Sequence, residues 1–291
     1  MGSILTPTAS VFSVWPRGGP WRIGLSIVRS ILVAYLVVLL IMMCFEEAFI
    51  FHPDRYPQGD WRLPGAACEN AWFQSADGVR LHGWYLPHDR SLATVLFCHG
   101  NGGNITHRAD LAQLLHDRVG AAVLIFDYRG YGRSEGQPSE RGILADARAA
   151  RAWLALRCGI PQREIVVMGE SLGGAVAVDL AACDGAKALV LQNTFNALPD
   201  VAGYHLPWLP VRWLMHTRLD SAAQIGRYHG PLLQCHGDAD RTVPYRFGEK
   251  LFQAANEPKQ FITHHGLDHN DFLPLPFFDT LKDFLEKLKD Q

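Results

Sequence analysis

From residue 93 onward, apolar runs of about five residues alternate with longer amphipathic stretches, and this rhythm restricts the fold more than any other feature of the chain. The runs Ala93–Cys98, Ala121–Phe126, Ile165–Met168, Ala188–Leu191, Leu232–Cys235 and Gln260–Thr263 have strand length and are often β-branched. Between them, 106–118, 139–157, 172–183, 245–255 and 277–289 carry helical periodicity. Ahead of them, Trp72-Phe73-Gln74 and Leu81–Leu86 flank Asp77-Gly78, a hairpin signal that brings the expected strand count to eight. Strand–helix alternation with unbroken apolar strands predicts an α/β fold, a mostly parallel eight-stranded sheet with helices on both faces. In such sheets reactive groups gather in loops beyond the carboxyl ends of the strands.

At 291 residues and 48% hydrophobic content, the chain has enough apolar material for one large core. Lys plus Arg number 27 and Asp plus Glu 29, with no run of five or six like charges, which argues against a nucleic-acid partner. The six cysteines show no CxxC spacing, and Cys98 and Cys235, at the ends of apolar runs, read as small core residues.

The N-terminus carries ILVAYLVVLLIMMCF from Ile31 to Phe45, and extension back to Ile23 adds only Arg29. Twenty-three helical residues rise roughly 34 Å, enough for a hydrocarbon core of about 30 Å if Arg29 snorkels. Cys44, Phe45, Glu46 and Glu47 do not form a small-x-small cleavage site, so an uncleaved anchor is expected rather than a signal peptide. Arg17, Arg22 and Arg29 precede or enter the segment and Glu46 and Glu47 follow it, which places the N-terminus in the cytoplasm and the remainder across the membrane. The expected organisation is an N-terminal segment 1–22, a transmembrane anchor 23–47, a connector 48–65 and a domain 66–291 with an insertion at 194–224.

Directly after the Ile165–Met168 run comes Gly169-Glu170-Ser171-Leu172-Gly173, then Gly174 and a helix. Gly-x-Ser-x-Gly on a strand-to-helix turn lifts a serine above a sheet, where side chains at the glycines would collide with backbone. A serine hydroxyl needs an oriented imidazole to take its proton. Downstream, Leu232–Cys235 runs into His236-Gly237-Asp238-Ala239-Asp240, and spacing alone leaves Asp238 and Asp240 both open as the orienting acid. The last strand runs into His264, His265 and His269, of which His269 lies deepest in its loop and is the expected base. His264 reads as a packed residue, and Asp238, Asp268 and Asp271 as turn-shaping groups. Two oxyanion donors are needed: the Leu172 amide supplies one, and the Gly-rich loop His99-Gly100-Asn101-Gly102-Gly103-Asn104 supplies the other, expected at Asn101. That loop has no GxxxxGK[ST] and is not a phosphate cradle; Asn104-Ile105-Thr106 reads as a helix start rather than a glycosylation site.

These residues resemble the membrane-anchored α/β-hydrolase-domain serine hydrolases, the bud-emergence-related group and its bacterial relatives. The likeness runs from Phe51-His52-Pro53-Asp54 to the C-terminus and is carried by HGNGGN at 99–104 with His107-Arg108, DYRGYGRSEG at 127–136, GESLGG at 169–174, HGDADRTVP at 236–244 and HND at 269–271. The resemblance implies an α/β-hydrolase fold, with Ser171 as nucleophile, Asp240 rather than Asp238 as acid, His269 as base, and Asn101 and Leu172 as oxyanion donors. It also implies that 127–136 is a structural turn bordering the site.

Such folds carry a lid where this chain has its insertion, which is rich in aromatic and aliphatic residues, with Pro207 and Pro210 breaking any long helix. Tyr204, Trp208 and Trp213 are expected to line an apolar or acyl pocket. The expected function is therefore cleavage of carboxylic esters or thioesters of small molecules or lipids, through an acyl-enzyme and without cofactor or metal. A catalytically silent binding protein on the same fold and a peptidase are the alternatives. All five reactive positions hold competent residue types, which argues against the first, and no charged subsite for peptides is evident, which argues against the second.

Overall fold

The computed structural model describes residues 20–65 and 68–289, so Arg17 and most of the expected segment 1–22 lie outside the described residues. In chain order the elements are α1 (Pro20–Cys44), α2 (Glu46–Ile50), β1 (His52–Pro53), β2 (Glu69–Gln74), β3 (Arg80–Leu86), β4 (Ala93–Cys98), β5 (Gly102–Gly103), a 3₁₀ turn (Ile105–Arg108), α3 (Ala109–Asp117), β6 (Ala121–Phe126) and α4 (Glu140–Cys158). There follow β7 (Val166–Glu170), α5 (Leu172–Asp184), β8 (Leu189–Gln192), α6 (Leu198–His205), α7 (Val211–Leu214), α8 (Ser221–Ile225), β9 (Leu232–Gly237), α9 (Tyr245–Ala254), β10 (Lys259–His264) and α10 (Leu275–Lys287).

Helix α1 forms one unit and the chain from Phe45 onward another. Trp21–Cys44 is long and apolar enough to cross a membrane; its 24 residues rise about 36 Å. The helix stops at Cys44 rather than at Glu47, because Phe45 leaves helical geometry (φ −117°, ψ 23°) and α2 starts afresh with Glu46 and Glu47 in its first turn. Acidic side chains there complement the positive end of the helix dipole.

The second unit is built on an eight-stranded sheet ordered β10-β9-β8-β7-β4-β6-β3-β2. The β2–β3 hairpin joins antiparallel to β6, and every other pairing is parallel. Alternate residues of one strand feed opposite faces, as pleating requires: Leu96 and Cys98 pack with Ile143 and Ala147 of α4 and with Val176 and Leu180 of α5. Val95 and Phe97 pack with Leu111 and Leu115 of α3 and Phe278 and Leu281 of α10. Cys98 and Cys235 are fully buried, and burial pushes the Cys98 thiol up to about 12.

Two boundaries move in ways that matter for the site. Strand β7 runs on to Glu170, so no loop separates it from Ser171. The stretch 48–65 is not a plain connector: Ile50 and Phe51 are buried in the core, and β1 pairs in parallel with β5 in a small second sheet, His52 against Gly102 and Pro53 against Gly103. A two-residue strand has no periodicity to read, which is why the sequence pattern leaves it as connector.

Candidate active site

Ser171 alone links β7 to α5, at φ 52° and ψ −117°, a conformation rare for a residue with a side chain. The neighbouring glycines are required by close approach. A Cβ on Gly169 would overlap the Gly173 carbonyl, and one on Gly173 would overlap the carbonyls of Cys98 and His99. The turn is tied from outside as well: the Ser171 amide donates to Gln192 O at 2.9 Å, and Thr194 Oγ1 donates to Ser171 O at 2.7 Å. Leu172 opens α5, so its N–H has no acceptor within the helix and is available to a ligand.

His269 reaches back over this turn. Its Nε2 lies 3.0 Å from Ser171 Oγ and its Nδ1 lies 2.7 Å from Asp240 Oδ2. A carboxylate can only accept, so Nδ1 carries the proton and Nε2 is left to accept from the hydroxyl. Of the two aspartates that spacing leaves open, Asp240 is the one that bonds His269. Asp238 is exposed and instead accepts from His265 Nδ1 and the Gly266 amide, both at 2.7 Å. Asp240 Oδ1 takes the amides of Thr242 and Val243 at 2.9 and 2.7 Å, and His236 Nε2 stands 3.2 Å from Oδ2. Burial pushes the Asp240 carboxyl up, but the bonds from His236, His269 and the Val243 amide outweigh it and hold the group at about 2. His264 is buried against Phe277, and Asp268 and Asp271 cap the amides of Arg241, His269 and Asp268 in the turn.

The glycine-rich loop lies against the serine: a Cβ on Gly100 would stand 3.6 Å from Ser171 Cβ. Below it, His99 is buried, and burial, then the charge of Arg108, pushes its imidazole down to about 3; its Nδ1–H donates to Gly100 O at 2.7 Å. Asp127 Oδ1 accepts the Ile105 amide, and Tyr131 Oη donates to Asn101 O at 2.8 Å, so the 127–136 turn braces this loop. Arg108 and Glu170, the variable residue of the serine motif, form a mostly buried bidentate pair at 2.7 and 3.2 Å.

A cleft of ≈ 370 Å³ opens over Ser171 and His269. Its other walls are the loop 100–103, Asp54, His107, Arg108, Glu170, Thr242 and Asn270, with no hydrocarbon side chain among the described residues that line it. Tyr204, Trp208 and Trp213 are not brought to this cleft: they are 44, 57 and 87% exposed on the surface of the insertion. Periodicity in a short, Pro-interrupted segment does not tell which way a ring turns. The insertion touches the rim through His205, whose Nε2 donates to Thr242 O at 2.8 Å.

The sequence reading missed four participants. Asn193 (φ 47°) and Thr194 follow β8 and hold the His269 and Ser171 backbones; His236 flanks Asp240; Asp54 supplies a cleft wall. Only Asn193 left a usable signal, an Asn-Thr pair directly after a buried strand, where asparagine tolerates a positive φ.

Residues 93–236 match the family model described as alpha/beta hydrolase fold. The chain is 41% identical over 236 residues to an uncharacterized protein of Mycobacterium tuberculosis, covering 80% of this chain and 84% of that one. It is 40% identical over 186 residues to the alpha/beta hydrolase domain-containing protein WAV2 of Arabidopsis thaliana, covering 60% and 59%. Among solved structures, the Pyrococcus furiosus esterase Pf2001 superposes with a TM-score of 0.67 at 19% identity, over 82% of this chain and 98% of the esterase, a likeness of fold.

Proposed function

The chain belongs to the membrane-anchored α/β-hydrolase-domain family, and from that premise we propose that it is a serine hydrolase cleaving carboxylic esters or thioesters. The observation that carries this reading is the run of contacts Ser171 Oγ–His269 Nε2 at 3.0 Å and His269 Nδ1–Asp240 Oδ2 at 2.7 Å. His269 takes the Ser171 proton as Oγ attacks the carbonyl carbon, and Asp240 stabilises the imidazolium that forms. The carbonyl oxygen, now an alkoxide, is received by the amides of Asn101 and Leu172. Collapse breaks the bond to the leaving alcohol or thiol, which departs with the proton from His269. Water, deprotonated by the same imidazole, then attacks the acyl-serine and releases the acid, and the proton returns to Ser171.

The walls immediately beside Ser171 favour a small or polar group there, since apolar chains need apolar walls, and apolar lining from Leu111, Phe272 and Leu273 enters only in the adjoining cavity of ≈ 230 Å³ that shares His269. An acyl pocket built from Tyr204, Trp208 and Trp213 has no support in that lining. Helix α1 serves as a single-pass anchor with the N-terminus cytoplasmic and the hydrolase unit on the far side; a protease-protection assay that leaves the hydrolase unit on the cytosolic face contradicts this orientation.

The test is hydrolysis of p-nitrophenyl acetate by the full chain. Turnover is expected in the wild type and absent from Ser171→Ala; equal turnover in both removes the serine from the mechanism.

A further inference from the structure

The Gly-rich loop that faces Ser171 is not held by the main sheet alone. Gly100, Gly102 and Gly103 leave its backbone with unusual freedom, so its shape must come from outside partners. On one side Tyr131 Oη donates to Asn101 O. On the other lies the segment just past the apolar helix. The Ile50 carbonyl accepts Asn101 Nδ2 at 2.7 Å, the His52 amide donates to Asn101 O at 3.3 Å, and the Asp54 amide donates to Gly103 O at 3.0 Å. The Asp54 carbonyl accepts Asn104 Nδ2 at 3.1 Å and the Gly132 amide at 2.9 Å, joining strap, loop and brace. Donors alternate along the strap, His52 and Asp54 facing the loop with Pro53 between them, the place where a residue without an N–H costs no ladder bond.

We infer that Ile50–Asp54 is a positioning strap which sets the Asn101 main chain for the reaction at Ser171. Two of the ties fall on Asn101 itself and two on Gly103 and Asn104 of the same loop, and the strap's buried root, Ile50 and Phe51, fixes it to the core. Oxyanion stabilisation depends on an amide held within a few tenths of an ångström, so a loose strap costs rate rather than substrate affinity. The segment that leaves α1 is thereby a working part of the site and not a spacer. The kinetic part of this inference rests on the serine-hydrolase reading; the structural part does not.

The experiment uses the full chain in proteoliposomes, comparing wild type, His52→Pro, His52→Ala and Asn101→Ala. His52→Pro deletes the donor to Asn101 O, His52→Ala keeps it, and Asn101→Ala removes the side-chain tie to Ile50 but keeps the main-chain amide. Hydrogen exchange is followed over residues 100–104, together with kcat and KM for p-nitrophenyl acetate and the melting temperature. Exchange in the loop is expected to quicken about tenfold in His52→Pro and Asn101→Ala, with kcat down about tenfold or more and KM and melting temperature little changed. His52→Ala should match wild type in every readout. If His52→Pro does not fold, Asn101→Ala carries the test. Unchanged exchange in the folded strap variants, or the same loss in His52→Ala, overturns the strap. If the wild type shows no turnover, or Ser171→Ala equals it, the serine reading fails, and the exchange result still decides whether the strap holds the loop.

Discussion

The side chain of Asn193 spans two loops of the site: its Nδ2 donates to the His269 carbonyl at 3.0 Å, and its Oδ1 accepts the Gly237 amide at 3.1 Å. It is buried, with a φ of 47°. One residue thus fixes the histidine loop to the end of β9, the strand that leads to Asp240. Asn193→Ala leaves a buried carbonyl and a buried amide unpaired and places alanine where φ is positive. We expect a loss of about 2–4 kcal/mol in urea unfolding. Where the variant folds, kcat should fall by about 10–100-fold with KM nearly constant. A stability loss with unimpaired kcat would show that Asn193 supports the fold alone.

Asp240→Asn should keep the fold and lower kcat on the order of 10³–10⁴-fold, because an amide facing Nδ1 no longer selects the tautomer that leaves Nε2 free to accept. The carboxyl is held at about 2, below its unfolded value near 3.9, so the folded state binds the proton less readily. Its contribution to stability is therefore complete above about pH 4 and disappears as pH falls through about 2. Urea unfolding between pH 4 and 2 should be less pH-dependent in Asp240→Asn than in wild type.

His99 has a consequence of the same sign in a higher pH window. Its folded imidazole titrates at about 3, against about 6.5 when unfolded, so between those values the unfolded chain binds a proton that the folded one refuses. Stability then rises with pH across this window and is lost on acidification from about 6.5 downward. Wild type should lose up to about 1.4 kcal/mol per pH unit from this group between pH 6 and 4, measured by urea midpoints. His99→Gln should flatten that dependence; a parallel curve would assign the loss elsewhere.

How far the sequence foretold this arrangement depends on the kind of signal. The sheet was legible because Ala93–Cys98 and the strands β6 to β9 are buried on both faces and read as nearly unbroken apolar strings, with only β10, the edge strand among these runs, partly exposed. Ser171 and His269 could be nominated because each lies past such a string, whereas only the family resemblance separated Asp240 from Asp238; the contacts at 3.0 and 2.7 Å bring those three together. Asn193 and the Ile50–Asp54 strap escaped notice because their partners are distant in sequence, and His236, though only four residues from Asp240, because spacing does not tell that its ring turns to that carboxylate. The insertion misled: Tyr204, Trp208 and Trp213 suggested a pocket by composition, yet they sit at the surface.

The cleft itself makes a prediction about substrate. Its polar walls favour p-nitrophenyl acetate over the dodecanoate in kcat/KM, by about tenfold or more, and Trp208→Ala and Trp213→Ala should leave that ratio unchanged. A preference for the longer ester that is lost in either variant would restore the insertion as an acyl site.

Glu170→Ala should cost about 3–5 kcal/mol, because it leaves the mostly buried Arg108 guanidinium without its carboxylate beside the cleft. Arg108→Met combined with Glu170→Leu should recover part of that loss, which a double-mutant cycle on urea unfolding would measure. Additive losses would show that the two side chains act independently.

The central claim is that Ser171 is a nucleophile activated by His269, and covalent labelling reads it most directly. A fluorophosphonate probe applied to the full-length protein should form one adduct that peptide mapping locates on Ser171, slowed strongly in His269→Ala and absent in Ser171→Ala. Labelling that persists in Ser171→Ala, or a folded wild type that the probe leaves unmodified, would contradict the account.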